Sequence, residues 1–229
     1  MDIAPTEEKT DDNVLLAALR QGQARAFEQL MRRYNRRLFR AARGITRDDA
    51  EAQDAVQEGY LHAFQSIHGF RGDSSLATWL TRIVINYALT QQRRSGRLVL
   101  WSEEHPDEEG DMPHQHDEPT RSAEDEFARR ELREHLQQAV DLLPPIYRSV
   151  FILRTVEGLS VEETAQALRV SGDVVKTRLL RARAMLRDSL SPSGEAEAQR
   201  LYDFQGHRCD EAVAVVLARL RSLGVIRDH

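Results

Sequence analysis

Three groups of residues in this 229-residue chain have types and spacings that suit recognition rather than bond-making. The first is the stretch from Phe70 to Asn86, F-R-G-D-S-S-L-A-T-W-L-T-R-I-V-I-N. Its loop (Gly72, Asp73, Ser74, Ser75) offers backbone amides and small side chains, and the helix behind it offers Thr78, Arg82 and Asn86 beside an aromatic. Such a set can hold an unstacked base. Taken alone, the pattern is more simply an ordinary loop–helix junction with Trp79 in the core; the rest of the chain shifts that balance. The second group, Lys176, Thr177, Arg178, Arg181 and Arg183, lies on the polar side of a helix that follows a tight turn. The third, Asp54, Gln57 and Glu58 with an apolar Leu61 among them, faces away from the apolar stripe of its helix and suits either a partner surface or chance. A Gly-rich phosphate loop and a catalytic dyad are both lacking, so an enzyme is not expected.

These groups need elements to hold them, and the periodicity is helical throughout. Asp12 can cap a short helix bearing Val14, Leu15, Leu16 and Leu19, stopped at Gly22. A second helix runs from about 24 to 43, with Phe27, Leu30, Met31, Tyr34 and Leu38 inward, Arg32, Arg33, Arg36, Arg37, Arg40 and Arg43 around the rest (a solvated face or a polyanion footprint), and Gly44 as its stop. Thr46 opens a third, with Asp48 and Asp49 favourably placed in its first turn. In the fourth, Leu76, Trp79, Leu80, Ile83, Val84 and Tyr87 form one apolar face. Farther on, Pro144 and Pro145 break a helix that begins near Ala123. Ser160-Val161-Glu162-Glu163 is a capping box. It opens a helix that leads through Arg169-Val170-Ser171 into a second helix at about 172–187, with Val175, Leu179, Ala182 and Leu186 as the buried stripe. Residues 171–187 carry five bases and one acid. Helix, tight turn and basic second helix is the arrangement that enters a major groove; a basic hairpin that binds nothing is the blander reading.

The fold class expected is all-α. Four helices occupy residues 10–97, an acidic linker 98–122, a helix-turn-helix domain 123–190, and a helical tail 191–229. Net charge is −5, yet residues 101–126 alone hold eleven acids and one base, so the remainder is basic. No apolar run suits a bilayer or a signal peptide. The single Cys209 fits a reducing cytoplasm. Metal is not expected: His114 and His116 lie in the acidic linker, and His207 with Cys209 is only a faint signal. The tail helix, from about Cys209, carries Val213, Val216, Leu217 and Leu220. It is too short to be stable alone and must pack on its own chain or on a partner.

In this order the motifs resemble the extracytoplasmic-function (ECF) sigma factors of bacterial RNA polymerase. The carriers are D-A-E-A-Q-D-A-V-Q-E-G-Y-L-H-A-F (49–64), the stretch 70–86, the acidic linker, L-P-P-I-Y-R-S-V-F (143–151), E-G-L-S-V-E-E-T-A-Q-A-L (157–168) and V-V-K-T-R-L-L-R-A-R (174–183). The resemblance implies that Asp54, Gln57, Glu58 and Leu61 contact the core polymerase clamp. It implies that Phe70, Arg71, Gly72, Asp73, Ser74, Arg82, Asn86, Arg93 and Arg94 serve the −10 element, where a flipped base is held. Ser171, Asp173, Lys176, Thr177, Arg178, Arg181 and Arg183 then serve the −35 element. Core polymerase (clamp and flap), duplex and melted promoter DNA, and an anti-sigma factor are the implied partners; no cofactor and no membrane insertion are implied. The acidic linker would thread the channel that later carries RNA.

Two departures stand out. Arg169 occupies a turn position where the family often has Gly or Asn, and a left-handed backbone there would cost about 1 kcal/mol relative to Gly. Asp173 repels phosphate but suits a cytosine amino group. The tail lies beyond the family's two-domain core and is expected to dock on the chain's own DNA-binding surfaces or to engage a regulator. A sequence-specific regulator that binds duplex DNA without polymerase, and an interaction protein for which DNA is incidental, are the alternatives from other classes.

Overall fold

A computed structural model describes residues 5–46, 48–95, 123–187, 198, 201–202 and 206–226. The acidic run, with His105, His114 and His116, lies outside them. All the described regular elements are helical, in agreement with the all-α expectation. They fall into two units: residues 1–96 together with 203–229, and residues 97–202. The expected separate tail is thus divided, its start going with the second unit and its helix with the first.

The first unit holds α1 (Pro5–Arg20), α2 (Ala24–Ile45), α3 (Asp49–Gln65), a 3-10 turn (Ile67–Gly69), α4 (Leu76–Arg94) and α9 (His207–Ser222). Its centre is the triangle of α2, α3 and α4. Phe27 meets Phe64 edge-on with centroids 4.4 Å apart, and Tyr60 stacks on Phe64 at 5.5 Å; such pairs add to simple burial. Gly59 lets α3 approach α4 closely, since a Cβ there would lie 2.5 Å from Val84 Cγ2.

Several local expectations change. Asp12 is no cap: α1 begins earlier, and Asp12 accepts a bond from the Tyr34 hydroxyl at 3.2 Å and pairs with Arg33. Gly44 does not stop α2, which continues to Ile45. Thr46 ends that helix, its hydroxyl donating to the Ala42 carbonyl, whereas Asp48 caps α3 by accepting from the Glu51 amide at 2.9 Å. Arg40 and Arg43, expected outside the apolar stripe, are buried, and Arg43 Nε sits 2.7 Å from Asp49.

The second unit holds α5 (Ala123–Leu142), α6 (Pro145–Phe151) with a π turn behind it (Ile152–Val156), α7 (Val161–Leu168) and α8 (Gly172–Met185). Pro145 takes the first helical position of α6, where its missing N–H costs nothing. Arg148 is fully buried and donates to the carbonyls of Asp141 and Leu143 at 3.2 and 3.4 Å, so it closes the open end of α5. Tyr202 is left-handed (φ 51°), buried, and donates to Asp141 at 2.7 Å.

Candidate nucleic-acid interface

In the first unit the site is built from the loop before α4 and one side of α4. Ser75 caps the helix by accepting from the Thr78 amide at 3.1 Å, and its hydroxyl lies 2.8 Å from that of Thr78. The loop ahead of the cap is anchored at its base, where Arg20 donates to the Phe70 carbonyl at 2.8 Å. Arg71, Gly72 and Asp73 are exposed, and Ser74 is half-buried. Gly72 has φ +80° with open space around it, a left-handed turn that keeps the loop backbone accessible.

The register of α4 differs from the expected one. Leu76, Ala77, Thr78, Leu80, Thr81, Val84, Ile85, Ala88 and Leu89 are buried. Trp79, Ile83 and Tyr87 are only half-buried. The reason is steric and local. α4 lies against both α2 and α3, so a broad, small-residue surface goes inward. Threonine can join it because its hydroxyl is satisfied nearby, as Thr81 donates to the Ala77 carbonyl at 2.8 Å. Thr78, expected on the polar face, is therefore in the core.

Trp79, Arg82, Ile83, Asn86 and Tyr87, spaced i, i+3, i+4, i+7 and i+8, share the half-exposed side. Phe70 lies against Trp79 with centroids 5.1 Å apart and planes at 51°. Gln91 donates to the Tyr87 hydroxyl at 2.7 Å, and Tyr87 stands 6.2 Å from the His62 ring. Arg93 and Arg94 are exposed at the end of the helix. Loop, aromatic pair, amide and guanidinium thus share one surface. Sequence reasoning missed Trp79 and Tyr87 as members of it; the signal available was the pair of threonines, which could take the inward positions.

In the second unit the capping box forms as expected, with Ser160 accepting from the Glu163 amide and Glu163 accepting from the Ser160 amide. Arg169 ends α7 in the left-handed region, φ 57° and ψ 47°. Ser171 caps α8 by accepting from the Val174 amide at 3.3 Å. Ser171, Asp173 and Lys176 are exposed, and Lys176 pairs with Asp173 at 3.2 Å. Thr177, Arg181 and Arg183 are half-buried, and Arg181 donates to the Tyr147 hydroxyl at 3.3 Å. Arg178 is not on this surface. It lies on the inner stripe between Val175 and Ala182, 5% exposed, while Leu179 is half-buried. A long aliphatic stem can replace a leucine on such a stripe.

On α3, Asp54 is exposed and Gln57 half-buried. Glu58 is half-buried and ion-paired with Arg219 of α9. Leu61, expected to be exposed, is buried at 5%. The tail helix α9 packs on α3 and α2. Among the described residues no group of three His, Cys, Asp or Glu could hold a metal ion, and no helix is long and apolar enough to cross a membrane.

Comparison with known proteins places both surfaces in matched segments. The family model for Sigma-70 region 2 matches residues 30–98, and that for Sigma-70, region 4 matches residues 133–186. The RNA polymerase sigma-H factor of Pseudomonas aeruginosa is 32% identical over 185 residues, covering 79% of this chain and 94% of the relative. The ECF RNA polymerase sigma factor SigM of Mycobacterium tuberculosis is 34% identical over 181 residues, covering 76% and 82%. Among solved structures, CnrH in complex with the cytosolic domain of CnrY aligns with a TM-score of 0.51 at 27% identity, covering 77% of this chain and 95% of that one.

Proposed function

This chain belongs to the ECF RNA polymerase sigma factors of the sigma-70 family, and we propose how its surfaces divide that work. As a sigma factor it directs core polymerase to specific promoters and nucleates their opening. The acidic side of α3, with Asp54, Gln57 and Glu58, meets the polymerase clamp. The loop Phe70, Arg71, Gly72, Asp73 and Ser74, with Arg82, Asn86, Arg93 and Arg94, handles the −10 element. To these we add Trp79 and Tyr87. The exposed residues of α8, Ser171, Asp173 and Lys176, with Thr177, Arg181 and Arg183 beside them, read the −35 element, and the second unit meets the polymerase flap. An anti-sigma factor is the expected regulator. The work is done in the cytoplasm and needs no catalytic group or cofactor of its own.

One observation carries this reading: the Phe70–Trp79 ring pair stands on the same half-exposed side of α4 as Arg82 and Asn86. Stacking on an aromatic contributes roughly 1–3 kcal/mol per base, the same order as the few kcal/mol needed to unstack one. An asparagine amide can then read the base edge, and the guanidinium can follow the strand. Trp79→Ala and Asn86→Ala should each lower promoter opening, read by permanganate reactivity of the melted strand and by run-off transcription. The stacking range corresponds to roughly 5- to 150-fold for Trp79→Ala. Binding to core polymerase should stay intact in both. Loss of core binding and opening together would make this stretch a scaffold only. Tight binding of the free protein to duplex promoter, with no promoter-specific initiation on core polymerase, would favour the duplex-binding regulator.

A further inference from the structure

Helix α9 covers part of the α3 surface assigned above to the polymerase clamp. Arg208 Nη1 lies 2.8 Å from Asp49 in the first turn of α3, and Arg219 pairs with Glu58 farther along the same helix. Equal rise per residue puts the two acids roughly 13 Å apart along α3 and the two arginines roughly 16 Å apart along α9. The helices therefore run side by side in the same direction. On the α2 side, Asp210 pairs with Arg32 at 2.7 Å, and Asn35 Nδ2 donates to Cys209 Sγ at 3.1 Å. Between these polar contacts Val213, Val216, Leu217 and Leu220 are buried at i, i+3, i+4 and i+7, the anchor spacing of a helix lying in a groove. The chain then turns back on the α1–α2 corner, where the Val225 carbonyl lies 3.0 Å from the place a Cβ on Gly22 would take.

The α2–α3–α4 centre is made by its own residues, Phe27, Gly59, Tyr60, Phe64 and Val84. α9 packs on α2 and α3 of that centre. The three ion pairs that orient it are part-exposed, between 27% and 63% on every side chain, so each holds weakly and is screened by salt. A helix of 16 residues with one apolar stripe has no stability once it leaves the groove. These are the features of a segment that can dock and release.

We propose that α9 is an intramolecular mask, which when docked withholds Glu58 of α3 from core polymerase, so that polymerase capture requires α9 to leave. This rests on reading α3 as the clamp-binding surface. Apparent affinity for polymerase is then the intrinsic affinity reduced by the fraction of molecules with α9 undocked. An undocked fraction of about one tenth would weaken it about tenfold.

The test uses the full chain and its only cysteine. Cys209 is part-buried at the α9–α2 contact, so its reaction with a thiol reagent reports docking. Deleting the tail would expose apolar surface and could unfold the first unit; the charge reversal Arg208→Glu/Arg219→Glu loosens α9 instead. It is expected to speed Cys209 labelling and to tighten core polymerase binding about tenfold, with far-ultraviolet dichroism retained outside α9. In the unmodified chain, saturating core polymerase is expected to speed Cys209 labelling. Labelling that stays slow or falls while polymerase binds overturns the mask. So does a charge-reversed chain that labels faster yet binds polymerase no better or more weakly, which would mean that undocking α9 uncovers no polymerase-binding surface. Asp54→Arg, on the part of α3 that remains exposed, separates the two readings. It should weaken polymerase binding in both backgrounds. If it changes neither, the assignment of α3 to the clamp fails, whatever α9 does.

Discussion

Arg169 sits where the chain leaves α7 for the recognition helix, with φ 57° and ψ 47°. Its amide donates to the Ala165 carbonyl, and the Val170 amide donates to the same carbonyl at 3.1 Å, so the turn is hydrogen-bonded and the backbone cannot relax without losing both bonds. A side chain with a Cβ costs roughly 1–2 kcal/mol in this conformation. Glycine removes that cost but gives the unfolded chain more freedom, worth roughly 0.5–1 kcal/mol in the opposite direction. Arg169→Gly should therefore stabilise the helix-turn-helix by about 1 kcal/mol, and Arg169→Ala should leave it nearly unchanged. The alanine variant is the necessary control, because both substitutions remove the same exposed guanidinium and differ only in the Cβ. Hydrogen exchange of the α7 and α8 amides under native conditions is the direct assay, since it reads opening of these helices separately from the first unit. About 1 kcal/mol is about a fivefold slowing in the glycine variant. If glycine and alanine behave alike, the left-handed turn stores no strain and the reasoning is wrong.

The remaining predictions concern the two cores. Arg178→Ala should destabilise the second unit by roughly 2–5 kcal/mol, as truncating a large buried side chain to alanine does, whereas Lys176→Ala should leave the urea midpoint unchanged and weaken −35 binding with a smaller salt dependence. If Arg178→Ala left stability intact and altered −35 sequence preference, its assignment to the interior would be wrong. Gly59→Ala places a methyl 2.5 Å from Val84 Cγ2. Overpacking of roughly 1–3 kcal/mol, less about 1 kcal/mol gained in helix propensity, predicts a net loss of stability in denaturant titration; a more stable variant would show that α3 and α4 are not in close contact there.

Much of the fold was legible because its signals are local. The two prolines at 144–145 and the capping box at Ser160 act on their own turns, and each stands where the spacing put it. The left-handed turn at Arg169 was raised only by the family resemblance, because arginine itself carries no local signal for it. Helix ends were less so. Gly44 is tolerated inside α2 because that end of the helix is buried, and Thr46 served the helix before it rather than the one after it. The face of α4 was misread for a different reason: hydropathy counts threonine as polar and tryptophan as apolar. Inside a three-helix contact, a threonine bonded to its own turn fits better than an indole, and the indole moves to the rim, where a base could meet it.

Leu61 and Glu58 show what no local pattern can supply. Read on α3 alone they face outward, and on α3 alone they would. For Glu58 the change comes from a helix more than 140 residues later in the chain, whose arginines find Asp49 and Glu58. Periodicity of the tail announced that an apolar stripe needed a partner, but it could not say which surface, because the hydrophobic effect is non-directional. The ion pairs make that choice specific. Arg208 and Arg219 are spaced to match Asp49 and Glu58 on a neighbouring helix of the same direction, and Asp210 meets Arg32 on the other wall of the groove. Charge complementarity of this kind fixes register more than it adds affinity. Of the acids that mark α3 as a partner surface in the sequence, Glu58 is also one that the chain's own last helix recognises, so under the proposed mask polymerase and tail compete for it.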